Sequence, residues 1–145
     1  MDVSALRRPD IYRINTVIDC APGGAGTLAE FYSKLLGWDY SHPAGGGWAA
    51  ITAPEGTVYA FQEVDEYAPP VWPWEADKPG QMLHLDFWVA AEDLEPMIAW
   101  AESLGARLTP VQYFHSSRTM LDPAGHPFCI DTDAPEPEAA PDENA

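Results

Sequence analysis

Basic residues are scarce. Seven Lys and Arg stand against 23 Asp and Glu, a formal net charge of −16 at pH 7. A phosphate backbone would be repelled over most of such a surface and no Lys/Arg cluster offsets it, so no nucleic-acid partner is expected. Cysteine is equally sparse. Cys20 and Cys129 do not make a disulfide framework, so an apolar core must hold the fold, and reduced thiols in a cytoplasmic setting are the simpler expectation. Long hydrophobic runs are missing too. Nothing approaches the ~20 residues that cross a bilayer, and no amino-terminal stretch has a signal peptide's pattern, so no membrane partner is expected. What remains is a chain of 145 residues, 46% hydrophobic, with 15 prolines and six tryptophans gathered where loops can shape a pocket. That size suits one domain.

The ends and the middle differ. Residues 1–11 lack periodicity and read as a flexible leader, while 133–145 is acidic, proline-rich and without large apolar side chains. Such a tail buries too little surface to offset its ordering entropy and is expected to be disordered. Between them the chain repeats itself. Module one (12–64) opens with RINTVIDC, continues through a helical segment and ends in TVYAFQEV; module two (81–132) opens with MLHLDFWV and ends in HPFCIDT. A proline-rich linker, 65–80, joins them. Asn15 and His84 lie 69 apart, as do Pro54 and Pro123 in their P-x-G turns, and Gly37 and Gly105 lie 68 apart.

The first helix is expected to open on the capping box Thr27-Leu-Ala-Glu30, whose side chains would satisfy orphan amides. Leu28, Phe31, Tyr32, Leu35 and Leu36 then form one apolar stripe, and Gly37 supplies a left-handed exit. The second is expected to begin near Asp93, to tolerate Pro96 in its first turn, to bury Leu94, Met97, Ile98, Ala101 and Leu104, and to end at Gly105. The strands alternate. Leu83, Leu85, Phe87 and Val89 are assigned to the helix-facing side, with Met82, His84, Asp86 and Trp88 opposite. In module one Ile14, Thr16 and Ile18 go inward, leaving Arg13, Asn15, Val17 and Asp19 opposite. A sheet face carrying His, Asp, Asn and Trp reads as a cavity wall, the alternative being an ordinary wet face.

These residues resemble a known family. LAEFYSKLLGWDY, HLDFWV, the closing DPAGHPFCI and the stretch YAPPVWPW are similar to the vicinal-oxygen-chelate (glyoxalase, bleomycin-resistance and dioxygenase) superfamily, in particular its glyoxalase-like domains of actinobacterial type. The resemblance spans about residues 12 to 132. It implies an α+β fold of two tandem βαβββ modules whose curved mixed sheets surround a shared cleft, and many such proteins are homodimers. In the family's metal-dependent members one ligand comes from each of four strands. Carried over by position, those places hold Asn15, Gln62 (or Ala60 on the strict repeat offset), His84 and Cys129. Only His84 is a customary ligand. Asn and Gln bring dipoles without charge, and a lone thiolate beside them suits no hard ion, so no metal or other cofactor is expected.

The remaining candidates surround that face. Trp48, Trp72, Trp74, Trp88, Tyr113 and Phe114 can stack on a flat ligand, or cap the core or a dimer contact. Arg118 can pair a ligand anion or an internal carboxylate. His126, after the turn glycine, reads as structural. The expected function is small-molecule binding: a flat or aromatic metabolite among these aromatics, with Asn15, Gln62, His84 and Asp86 as polar contacts and Cys129 nearby. The competing class is an enzyme of the same superfamily, a lyase, isomerase or dioxygenase, using an atypical metal site or His84 or Asp86 as general base.

Overall fold

The computed structural model describes residues 6–137. Two four-stranded mixed sheets are formed. In the first, β1 (Asn15–Cys20), β2 (Asp39–Gly45), β3 (Trp48–Thr52) and β4 (Val58–Glu63) lie in the order β1-β4-β3-β2. The second repeats it with β5 (Leu85–Trp88), β6 (Arg107–Leu108), β7 (Ser117–Leu121) and β8 (Pro127–Asp131), ordered β5-β8-β7-β6. In each sheet the first and last strands pair in parallel and the rest are antiparallel. Each module's helix, α1 (Ala25–Leu36) or α2 (Leu94–Ser103), crosses between its first and second strands. Two βαβββ modules in tandem therefore make up the domain.

The duplication holds at the level of register. Ala50 pairs with Ala60 in module one, and Thr119 with Cys129 in module two, each partner displaced by 69 positions. On the outermost pair, Asp39 faces Thr52 and Arg107 faces Leu121. There the inner strand keeps the 69 offset while the outer strand shifts to 68, as Gly37 and Gly105 do. One residue is lost ahead of the second helix's exit and regained before β7.

Helix α1 buries Leu28, Phe31, Tyr32 and Leu35, the expected stripe, and Gly37 closes it at φ 71°. Its start differs from expectation. The N-cap is Gly24, and Thr27 lies inside the first turn with no capping bond. The orphan amide of Ala25 donates instead to Glu63 Oε2 at the end of β4, 3.2 Å away, so a tertiary partner replaces the local box. Helix α2 follows a 3-10 turn at Ala91–Asp93 and buries Leu94, Ile98 and Ala101, with Met97 and Leu104 packed at the core's margin.

The strand faces follow the alternation within the ladders. Ile18 is buried and Thr16 half-buried, against exposed Asn15, Val17 and Asp19; Leu85 and Phe87 are half-buried against exposed Asp86 and Trp88. Beyond the ladders it fails. Ile14 is 79% and Leu83 91% exposed, so neither packs on a helix as the pattern suggested. Each lies one or two residues before its strand begins, where no partner fixes the pleat.

The core is continuous across both modules. Phe31 and Tyr32 of α1 meet Phe128 of β8 at ring separations of 6.0 and 6.4 Å, and Phe87 of β5 meets Phe128 at 5.9 Å. Tyr32 also donates a 2.6 Å hydrogen bond to buried Asp122, across 90 residues of sequence. Module one thus reaches its helix into the second sheet.

Candidate functional site

Three hollows lie along the polar strand faces. One of about 460 Å³ separates the modules; its walls include Val17 and Asp19 of β1, Tyr67 and Gln81, and His84 with His126. A second, about 370 Å³, sits on module two's sheet, with His84, Asp86, Cys129 and Asp131 as floor and Trp72, Trp88, Tyr113 and Phe114 as walls. A third, about 570 Å³, lies on module one's sheet and holds Asn15 and Trp48. His84 borders the first two, which makes it the junction of cleft and module-two hollow.

Sheet register builds the module-two floor. Asp86 on β5 pairs with Cys129 on β8, which pairs with Thr119 on β7; Trp88 pairs with Asp131, which pairs with Ser117. Paired residues share a face, so these side chains converge with His84 just ahead of β5. His84 Nε2 lies 3.2 Å from Asp86 Oδ1, both side chains 43% exposed. Ser117 donates to Asp131 at 2.5 Å, and Thr119 Oγ1 lies 3.6 Å from Cys129 Sγ.

The floor is electrostatically crowded. Burial holds the Asp131 carboxyl above the usual carboxylate range; the Ser117 hydroxyl opposes this and the neighbouring Asp86 carboxylate adds to it. Burial likewise pushes the Cys129 thiol up, against the Thr119 hydroxyl and with help from Asp131 and Asp86. The sign has a consequence. A carboxyl whose proton is held more tightly folded than unfolded favours the native state most below the ordinary aspartate range, about pH 4, and that advantage is lost as pH rises through the raised value. Asp131→Asn keeps an acceptor for Ser117 without the charge. In chelator-treated protein it is expected to be at least as stable as the parent at pH 7, the difference closing below about pH 4. Thermal midpoints against pH check this; a less stable variant at pH 7 would refute it.

The other sequence candidates are dispersed. Asn15 accepts from Arg13 Nε at 2.9 Å and faces module one's hollow beside Trp48. Gln62 is exposed farther along that face, in register with Asp19 and Trp48. Trp74 is 59% exposed and packs over Gly80, where any Cβ would come within 2.3 Å of the indole. Arg118 turns to its own loop, donating to the carbonyls of Phe114, His115 and Ser117. Trp72 stands 5.7 Å from Tyr113, edge to face, and ties the linker to module two. Glu136, in the segment expected to be disordered, accepts from the backbone amides of His115 and Ser116 at 2.8 and 2.7 Å; residues 138–145 lie outside the described chain.

Sequence reasoning passed over Ser117 as a floor group; Asp131 is legible, because alternation from Cys129 sets it on the same face. His126 is held by Asp122, Nδ1 to Oδ2 at 3.0 Å, with Nε2 3.2 Å from the Tyr67 hydroxyl.

The four-strand metal arrangement does not fit. The register partner of Val17 and Ala50 is Ala60, which matches Cys129 in the repeat and carries no donor. Asn15 is engaged by Arg13 and lines a different hollow from His84 and Cys129. Among the described residues one group could hold a metal ion: His84, Asp86 and Cys129, with one ligand atom each, all within 4.8 Å of one another.

Paired βαβββ modules of this topology define the class of the glyoxalase and bleomycin-resistance fold. Residues 15–130 match the family described as Glyoxalase-like domain, and the chain belongs to that family. Solved structures agree on the fold. A glyoxalase/bleomycin resistance protein/dioxygenase family enzyme from Burkholderia phytofirmans PsJN superposes with a TM-score of 0.62 at 14% identity, covering 83% of this chain and 97% of that one. A glyoxalase/dioxygenase from Nostoc punctiforme gives 0.59 at 16%, covering 90% and 98%. The fosfomycin resistance protein FosX from Listeria monocytogenes, solved with Mn(II) and a dihydroxypropylphosphonic acid, gives 0.59 at 13%, covering 84% and 90%. No curated protein matches.

Proposed function

We propose that this chain binds a flat or aromatic small molecule in the module-two hollow, without the family's four-strand metal site. The observation that carries the reading is the hollow's division of labour: Trp72, Trp88, Tyr113 and Phe114 stand around a floor of His84, Asp86, Asp131 and Ser117. Aromatic walls supply area at low entropic cost, and a few convergent polar groups fix orientation. The volume, about 370 Å³, suits a ligand of one or two rings. The sequence branch suggested by YAPPVWPW belongs to the same reading, because that linker delivers Trp72 to the wall.

Tryptophan quenching by a panel of aromatic metabolites, on chelator-treated protein, tests it. Saturable quenching is expected. Trp88→Ala, at a 64% exposed position, should fold normally and weaken the affinity roughly 10- to 30-fold. A panel without one saturating member would remove the proposal.

The enzyme reading draws on a different observation, the 3.2 Å approach of His84 Nε2 to Asp86. A carboxylate that orients an imidazole is the arrangement of a general base. Its signature would be turnover of a bound ligand abolished in His84→Ala while binding persists. A cytoplasmic homodimer completes the proposed setting, and sedimentation equilibrium tests the dimer.

A further inference from the structure

The module-two floor sets the Cys129 thiol, which the proposed ligand reading does not use, beside His84 and Asp86, which it does. They are of three chemical kinds, imidazole, carboxylate and thiol, on one sheet face, and their ligand atoms lie within 4.8 Å of one another. The 3.2 Å separation of His84 Nε2 from Asp86 Oδ1 is close to the edge of a tetrahedron built on bonds of ~2.0–2.1 Å. Cys129, on the neighbouring strand at the register partner of Asp86, places its sulfur within 4.8 Å of both atoms, and a thiolate makes the longer bond of ~2.3 Å.

Charge argues the same way. Two carboxylates, Asp86 and Asp131, and one thiol face a single imidazole across this floor. Arg118, the basic residue on the adjacent strand, spends its guanidinium on backbone carbonyls. Among the described residues no Lys or Arg forms an ion pair with this floor.

We propose that His84, Asp86 and Cys129 hold a zinc-class divalent cation within module two alone, leaving a coordination position open to the aromatic-walled hollow. The donor set selects the ion: thiolate and imidazole favour zinc or cobalt over magnesium and calcium, which take oxygen ligands. The site differs from the family's four-strand arrangement in taking two ligands from one strand's face and none from module one. On binding, the Cys129 thiol gives up its proton to solvent and the sulfur bonds the cation, so uptake releases roughly one proton and tightens as pH rises.

The experiment uses the full chain, stripped with chelator and titrated with cobalt(II) alone, then with zinc(II). The expected result is saturation at one equivalent, with a thiolate-to-cobalt charge-transfer band that zinc bleaches. The band should vanish in Cys129→Ser, and affinity should fall tenfold or more in His84→Ala and in Asp86→Asn while Asn15→Ala leaves it unchanged. His84 and Asp86 are two-fifths exposed, so their variants test the site even if Cys129→Ser folds poorly. Four outcomes would overturn the proposal: no saturable uptake, a band that survives Cys129→Ser, equal loss in Asn15→Ala, or unchanged affinity in the His84 and Asp86 variants, which would mark general attraction to an acidic surface. The aromatic-ligand reading stands or falls separately, since its quenching assay is run without metal.

Discussion

Replacing Phe128 with alanine is expected to destabilise the whole domain by about 3–5 kcal/mol, the usual range for emptying a fully buried aromatic site. Phe128 is 0% exposed and contacts Phe31 and Tyr32 from one module and Phe87 from the other. Its removal leaves a void between α1 and the second sheet, and neither element can collapse into it without breaking its own ladder or stripe. Against a typical total of about 5–15 kcal/mol, the loss is a large fraction. The shape of the transition matters as much as its midpoint. Because Phe31 and Tyr32 belong to module one while Phe128 belongs to module two, both halves should melt together at lower urea. Far-ultraviolet dichroism and tryptophan fluorescence should report coincident curves, with Trp38 and Trp48 in the first half and Trp88 in the second. A variant in which one half keeps the parental midpoint would show that the modules are separate folding units, and the continuous core would have to be abandoned.

Much of this architecture was legible beforehand, for a definite reason. A duplicated chain repeats its turn residues, and turns set register: the P-x-G turns around Pro54 and Pro123 hold the same offset as the ladder pairs Ala50–Ala60 and Thr119–Cys129. The apolar stripe of α1 was equally plain because its five members recur at helical spacing, four of them buried and Leu36 at the margin. The misreadings share one cause, which is that local pattern does not reveal where a tertiary partner begins or ends. Leu83 and Ile14 continue the alternation of their strands but stand beyond the last paired residue. Thr27 has a capping-box sequence, yet Glu63 from another strand caps the helix two residues earlier. Trp74 shares a motif with Trp72, but only Trp72 reaches the hollow, since Gly80 gives the Trp74 ring a flat seat elsewhere. The floor is intermediate. His84 and Asp86 were visible as i and i+2 on one face, whereas the place of Cys129 opposite Asp86 depended on register between strands more than forty residues apart.

The other large effect is expected at Asp122, a carboxylate that the sequence offers only as the first letter of a turn. It is 1% exposed. Tyr32 donates to its Oδ2 at 2.6 Å, the amides of Ala124 and His126 donate to Oδ1 at 2.8 and 3.0 Å, and His126 Nδ1 lies 3.0 Å from Oδ2. Each oxygen is therefore occupied, and the group joins helix α1 to the β7–β8 turn of the other module. Asp122→Ala strips the partner from all of these groups, two of them backbone amides of a turn that cannot move without shifting β8. A loss of about 3–5 kcal/mol is expected. Tyr32→Phe deletes one donor and leaves the turn's bonds in place, so about 1–2 kcal/mol is expected from it. Burial and the adjacent carboxylate together hold the Tyr32 hydroxyl well above its ordinary range, which keeps it a donor through neutral and moderately alkaline pH. The pair of variants also separates two roles. If Asp122 serves mainly its own turn, the double variant should cost the sum of the singles; if it welds the modules, the double should cost less than the sum by roughly 0.5–3 kcal/mol. The contact geometry favours the weld, and strict additivity in a denaturant cycle would defeat it.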